Sequence, residues 1–143
     1  MRFVITARPA DATPASQTPP SDEVIAAYMK FNEDMHNAGV LVASEGLTPG
    51  APGARVAAAG GKRKVVDGPF AETKELVGGF YVIEVGSLEE AKTWALRCPV
   101  GLGSDDILEV RQLTGSEDVP PEMLALVKRV APNWSRTWDK PRK

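Results

Sequence analysis

The stretch GGFYVIEVGSLEEAKTWALRCP, residues 78–99, contains the most strongly strand-forming run of the chain, followed by a helix start. Residues 80–85 are almost all β-branched or aromatic, which predicts a strand. Ser87, followed three residues later by Glu90, predicts a capping box, in which each side chain accepts a hydrogen bond from the other residue's backbone. The inward stripe of the helix is expected to contain Leu88, Ala91, Ala95 and Cys98. Pro99 ends the helix because it has no backbone N–H to donate.

The remaining elements complete an α+β domain. Residues 2–7, 40–43 and 107–113 predict three further strands. The first helix begins at Ser21 and ends before Gly39, a residue suited to a left-handed C-cap. Its apolar stripe contains Val24, Tyr28, Phe31, Met35 and Ala38.

A hairpin separates the two halves of this domain. Residues 55–59 and 62–66 flank Gly60-Gly61, the pattern of a two-residue turn between antiparallel strands. The order β-α-β, hairpin, β-α-β predicts a ferredoxin-like antiparallel sheet with its helices on one face. The basic run Lys62–Lys64 is expected to be a solvated hairpin edge in preference to a phosphate site.

Two segments lie outside this pattern. Residues 8–20 contain four prolines and predict a long loop. The ferredoxin-like domain is expected to span residues 1–113, and residues 114–143 form a C-terminal helical extension with a helix from Asp118 to about Ala131. Trp134 and Trp138 in the extension are expected to anchor it to the domain or to a partner chain, with nucleobase stacking as the weaker alternative.

The predicted sheet is apolar on both faces. Successive strand residues point to opposite sides, so Phe80 and Val82 face one side while Tyr81 and Ile83 face the other. Two helices can cover one face, and the second face needs another layer, which an identical sheet can supply. We therefore expect a homodimer. The alternative is that the C-terminal helix folds under its own sheet.

Composition narrows the functional classes. The chain has 143 residues and a formal net charge of −2, which argues against an electrostatic nucleic-acid binder. Cys98 is the only cysteine and His36 the only histidine, which argues against a disulfide and a metal site. The N-terminus is too polar for a signal peptide and no run of about 20 apolar residues occurs, so a cytoplasmic location without membrane contact is expected.

A motif in the middle of the chain carries a family resemblance. Residues 66–75 read VDGPFAETKE, and residues 78–81 read GGFY. This long run is similar to the signature of the DGPF branch of YCII-related proteins. Supporting similarities lie at residues 38–41 and 45–47, in the helix at 87–99, and at residues 109–111 of the last strand. The resemblance covers about residues 1–113.

The resemblance implies a dimeric α+β barrel with a pocket between sheet and helices or at the barrel mouth. Most members have no assigned activity, and some resemble partners of extracytoplasmic-function sigma factors. The wider superfamily includes isomerases and dehydrochlorinases acting on ring-derived acids and phenols. A His–Asp pair does the acid–base work in the enzyme branch. Asp67 matches its aspartate, whereas the early histidine is absent and His36 lies near the end of the first helix.

Asp67 is the candidate catalytic residue. A carboxylate at a strand end before a Gly-Pro turn can face a cavity with a raised pKa, as a general base requires. Alternatively, it accepts hydrogen bonds from the backbone of its own turn. The candidate ligand-binding residues are Glu45, Phe70, Glu72, Thr73, Lys74, Tyr81 and Arg111. Each has a structural alternative, such as an exposed turn for residues 72–74, the core for Tyr81, and a pair with Glu84 or Glu109 for Arg111.

Two hypotheses follow for the function. The first is a protein that binds a small polar or anionic molecule, or an acid–base enzyme of the isomerase, lyase or dehydrochlorinase type, with Asp67 as base and Arg111 or Lys74 holding an anionic group. The second is a non-catalytic ligand-sensing or regulatory module associated with an extracytoplasmic-function sigma factor. Neither hypothesis requires a cofactor.

Overall fold

The computed structural model describes residues 1–8, 21–47, 53–68, 77–99 and 107–139. In chain order, the helices and strands are β1 (Arg2–Arg8), α1 (Asp22–Asn37), β2 (Leu41–Gly46), β3 (Ala54–Ala59), β4 (Lys62–Asp67), β5 (Gly79–Glu84), α2 (Leu88–Leu96), β6 (Ile107–Gln112), α3 (Pro121–Val130) and α4 (Pro132–Asp139). A 3-10 turn at Ser116–Asp118 precedes α3. Most of the predicted proline-rich loop lies outside the described residues.

Four strands form an antiparallel sheet in the order β2-β5-β1-β6. In this order the two strands of each β-α-β unit lie on either side of one strand of the other unit, which is the ferredoxin-like arrangement. β3 and β4 form a separate two-stranded sheet, joined through Gly60 and Gly61 at positive φ. The predicted fold class and the predicted hairpin turn are confirmed.

The core lies between one face of the sheet and the helices α1 and α2. From the sheet, Phe3, Ile5 and Ile83 are almost completely buried. From the helices, Phe31 and Met35 of α1 join Ala91 and Ala95 of α2 in the same cluster. The face of the sheet opposite this core, which carries the alternate residues of each strand, is called the outer face below. The predicted alternation of apolar residues between two faces is confirmed.

The start of α2 differs in detail from the predicted capping box. The Ser87 hydroxyl accepts from the backbone N–H of Glu90 at 3.2 Å, as predicted. The Glu90 carboxylate, however, accepts from the N–H of Gly86 at 2.9 Å, one residue before the cap. The expected inward position of Leu88 is wrong, because its side chain is 44% exposed. Helical side chains lean toward the N-terminus, so in the first turn Leu88 extends past the helix end.

The C-terminal extension contains two helices where the sequence predicted one. α3 ends at Val130, and Ala131 leaves helical geometry with φ −130° and ψ 62° because the following proline disfavours the helical conformation. Pro132 is then the first residue of α4, a position where a missing N–H costs no hydrogen bond. Within the ranges given above, no helix combines the length and the apolar character needed to cross a membrane.

Candidate functional site

The outer face has an apolar centre on its two middle strands. Val4 of β1 lies opposite Val82 of β5, and Thr6 lies opposite Phe80. All four side chains are half-buried within the chain. They are the alternate residues to the buried Phe3, Ile5, Tyr81 and Ile83 of the same strands. The centre of the outer face is therefore an apolar surface with one hydroxyl group.

A β-bulge in β2 brings Glu45 to this surface. Leu41 lies opposite Ile83, but Ala43 lies opposite Val82, so one extra residue is accommodated between them. The shift reverses the alternation of β2 and turns Ser44 toward α1, where its hydroxyl donates to Asn32 Oδ1 at 3.3 Å. Glu45 then lies opposite Phe80 and is exposed at the edge of the outer face.

Arg111 borders the apolar centre on the other side. It lies opposite Val4 on β6, and its side chain is exposed. Its Nε atom is 3.8 Å from Oε1 of Glu109, two residues earlier on the same strand. The predicted pairing with Glu109 therefore runs along the strand and not across the sheet, while Glu84 lies opposite Arg2. An exposed pair at this distance contributes little to stability, so the guanidinium can reorient toward a ligand.

Asp67 lies outside this surface in the isolated chain. It is the last residue of β4, opposite Ala54, and its side chain is exposed. The base of the hairpin is closed instead by the N–H of Gly68, which donates to the carbonyl of Gly53 at 2.7 Å. Within the described parts of the chain, the Asp67 carboxylate has no hydrogen bond or ion pair. Phe70, Glu72, Thr73 and Lys74 lie outside the described residues.

Tyr81 lies in the core. Only 8% of its surface is exposed, and its ring meets that of Phe31 edge to face at 5.4 Å between centroids. Burial, reinforced by the Cys98 thiol with which it shares a hydrogen bond, raises the pKa of the Tyr81 phenol above its ordinary value. The hydroxyl group thus supports the packing between sheet and helices, the structural alternative raised for it above.

A concave region at one end of the sheet was not predicted from the sequence. A cleft of about 120 Å³ lies at the end of the sheet where β1 begins, lined in part by Arg2, Glu84, Glu117, Thr137 and Trp138. Residues of the sheet and of α4 line this cleft together. The Trp138 ring, which is among them, meets the ring of Trp134 edge to face, with 5.0 Å between the ring centroids. Trp138 therefore lies against its own domain, whereas Trp134 is 53% exposed. The sequence signal for part of this cleft is the alternation of β1, which places Arg2 on the same side of the strand as Val4 and Thr6.

Metal-binding geometry is absent from the segments that the structure describes. No three His, Cys, Asp or Glu side chains converge there. His36 is exposed in the last turn of α1. The outer face combines an apolar centre with charged groups at its borders.

Comparison with known proteins identifies a family and a relative. The sequence model of the YCII-related domain matches residues 1–114. An uncharacterised protein of Rhizobium meliloti (strain 1021) is 40% identical over 91 residues, an alignment that covers 64% of this chain. This chain spans 64% of the length of that curated relative. The family match ends before α3 begins.

Proposed function

The chain belongs to the YCII-related family, and from that premise we propose that it is a cytoplasmic homodimer that binds a small molecule on its outer face. The observation that carries the proposal is the composition of that face. Val4, Phe80 and Val82 supply apolar surface, and Glu45 and Arg111 border it with opposite charges. Binding sites for small molecules commonly combine mostly apolar walls with a few polar groups.

The homodimer accounts for the accessible apolar surface. Helices α1 and α2 pack on the opposite face, so Val4 and Val82 retain surface that water reaches in a single chain. A second outer face laid against the first would bury part of this surface, at about 1.5–3 kcal/mol for each large side chain fully covered, and the remainder would line the ligand cavity between the two sheets. Two copies related by a twofold axis present the same patch to each other, as a closed dimer requires.

The ligand class follows from the charged groups. Arg111 offers a planar guanidinium to a carboxylate, and its neighbour Glu109 is a weak competitor at 3.8 Å. The Thr6 hydroxyl lies on the same face and can donate or accept a hydrogen bond. The proposed ligand is therefore a small carboxylic acid or phenol with an apolar body.

Binding is favoured over acid–base catalysis. A general base must lie within hydrogen-bond reach of the substrate proton that it removes, directly or through one water, and an acid–base partner beside it adjusts its pKa. Asp67 is exposed at the end of the hairpin, and the described residues place no histidine or second acid in contact with it. If the protein is an enzyme, Asp67→Asn should abolish turnover of a bound ligand while leaving its affinity nearly unchanged.

Thermal-shift measurements with small carboxylic acids and phenols test the proposal. We expect at least one compound to raise the thermal midpoint, and we expect Arg111→Ala to reduce that shift. The matched control is Arg129→Ala, which removes another exposed guanidinium, on α3, and should leave the shift unchanged. A panel without any stabilising compound, or equal shifts in the two variants, would contradict binding at the outer face.

A second candidate function is the docking of a regulatory protein, such as an extracytoplasmic-function sigma factor. The observation in its favour is a row of exposed apolar side chains along α3 and α4, formed by Met123, Leu126, Val130 and Trp134. Co-elution with purified sigma factors of this class, lost in Leu126→Asp, would support this function. Unchanged co-elution in the variant would assign the contact to another surface.

A further inference from the structure

The cleft at the end of the sheet has a floor that crosses three strands. Arg2 of β1 lies opposite Glu84 of β5, and the N–H of Leu113, just after β6, donates to the carbonyl of Arg2 at 2.8 Å. These three residues form one row across the sheet, and all three line the cleft. Arg2 and Glu84 alternate with the buried Phe3 and Ile83, so the row is the end of the outer face.

The walls of the cleft come from the C-terminal part of the same chain. Glu117 of the 3-10 turn lines it together with Thr137 and Trp138 of α4. The turn is held by the Asp118 carboxylate, which accepts from the N–H of Gly115 at 2.8 Å. The cleft is therefore formed within a single chain, and it does not need the second copy that covers the apolar centre of the outer face in the proposed homodimer.

The opposite charges on the floor do not neutralise each other. Backbone hydrogen bonds between Met1 and Val85 precede Arg2 and Glu84, which makes these two a non-hydrogen-bonded pair with closely spaced side chains. Within the described residues no ion pair joins them, and an N–H of the Arg2 guanidinium donates instead to the carbonyl of Thr114 at 3.4 Å. Both charged groups therefore keep hydrogen-bonding capacity for a molecule in the cleft.

The groups around the cleft match the parts of one class of molecule. The Arg2 guanidinium suits a carboxylate, and the carboxylates of Glu84 and Glu117 suit an ammonium group. Leu113 and the Trp138 ring provide apolar surface for a hydrocarbon chain. A molecule that carries an acid, an amine and an apolar chain on one carbon atom is an α-amino acid. The volume of about 120 Å³ limits this ligand to a small molecule.

We propose that this cleft is a second binding site, which takes a free α-amino acid with an apolar side chain. The ligand carboxylate pairs with Arg2, its ammonium group donates to Glu84 and Glu117, and its side chain packs on Trp138. The site is separate from the outer-face site proposed above, where Arg111 holds an anionic group. Because the ligand contacts both the sheet and α4, its binding also fixes the C-terminal extension to the domain.

NMR titration of the whole chain with L-valine, L-leucine and L-methionine tests the site. We expect at least one of them to bind with a dissociation constant of about 1 mM or below, and to shift the amide resonances of residues 113–117 and 137–138. The amine and the acid that correspond to the tightest ligand each lack one of its charges; for L-valine they are isobutylamine and 3-methylbutanoic acid. Each should bind about tenfold more weakly, because one charged group of the cleft loses its partner.

Charge-removing variants assign each ligand group to its residue. Arg2→Gln should weaken amino acid binding about tenfold while leaving the affinity for the amine unchanged, and Glu84→Gln should weaken it equally while leaving the affinity for the acid unchanged. A variant that merely disturbs the fold loses all three ligands together. The matched controls are Arg129→Gln on α3 and Glu23→Gln on α1, which change exposed side chains and should keep every affinity within about twofold.

Three results would overturn the proposal. The first is that none of the three amino acids binds, whatever the outer face does. The second is that isobutylamine binds as tightly as L-valine, which would make the cleft a site for cations. The third is that the shifts centre on Val4 and Val82 and vanish in Arg111→Ala but not in Arg2→Gln, which would assign the binding to the outer-face site.

Discussion

Ile83 lies at the middle of the core, opposite Phe3 on β1 and Leu41 on β2, and it retains no accessible surface. We expect Ile83→Ala to lower the free energy of unfolding by about 2–5 kcal/mol, since a cavity remains where packing is tight. The control is Ile107→Ala on β6, where the side chain is 51% exposed and the loss should stay below about 1 kcal/mol. Urea denaturation followed by circular dichroism measures both, and equal losses would contradict the assigned core.

Tyr81 makes stability depend on pH in the alkaline range. Burial raises the pKa of its phenol above the ordinary value of 10.0, so the folded protein holds this proton at pH values where the unfolded chain releases it. Stability contributed by the neutral phenol is therefore complete below pH 10 and is lost as the pH rises above it. The slope approaches about 1.4 kcal/mol per pH unit for one proton.

Comparison of the wild-type protein with Tyr81→Phe isolates this effect. The variant lacks the ionising group. Above pH 10 the wild-type protein should therefore lose unfolding free energy relative to the variant. Urea titrations at several pH values between 9 and 11 provide the measurement. A difference that is independent of pH would show that the phenol ionises equally in both states.

At the scale of elements, the ends of helices and strands determine where side chains project. Ser21 accepts from the N–H of Val24 at 3.4 Å and starts α1, and Gly39 ends it with a φ of 71°. The bulge between Leu41 and Ala43 then reverses β2. Cap and bulge together decide that Ser44 faces α1 and that Glu45 faces outward.

Replacement of Gly39 by alanine should cost stability through backbone strain. A Cβ atom at this position would meet nothing within 4 Å, so the penalty of about 1–2 kcal/mol comes from the left-handed conformation. Gly46→Ala is the matched control, because its Cβ also has open space and its φ is not positive. Thermal or urea unfolding should separate the two variants, and identical stabilities would argue against a left-handed Gly39.

At the scale of the whole molecule, folding and association are linked. If the native state is a dimer, a higher protein concentration favours it over the unfolded chain. We expect the thermal midpoint of the wild-type protein to rise with concentration, and the midpoint of Val82→Asp to vary much less. Differential scanning calorimetry over a hundredfold concentration range measures both slopes. A wild-type midpoint that does not vary would contradict the dimer regardless of the variant's own stability.

Local patterns in the sequence determined the elements of this protein. The apolar run at residues 80–85, the stripe containing Phe31 and Met35, and the Gly60-Gly61 turn each follow from interactions between near neighbours. Their alternation along the chain was enough to predict the ferredoxin-like order. The apolar character of both sheet faces was equally evident, because strand residues alternate strictly between sides.

Tertiary structure alone decided which candidate site residues can act together. The bulge that turns Glu45 outward, the burial of Tyr81 against Phe31, and the cleft that Arg2 and Trp138 both line depend on contacts between residues distant in sequence. No periodicity encodes such contacts, since they arise when separate elements pack against each other. For the same reason the motif around Asp67 identified the family, while the position of Asp67 on a projecting hairpin came from the fold.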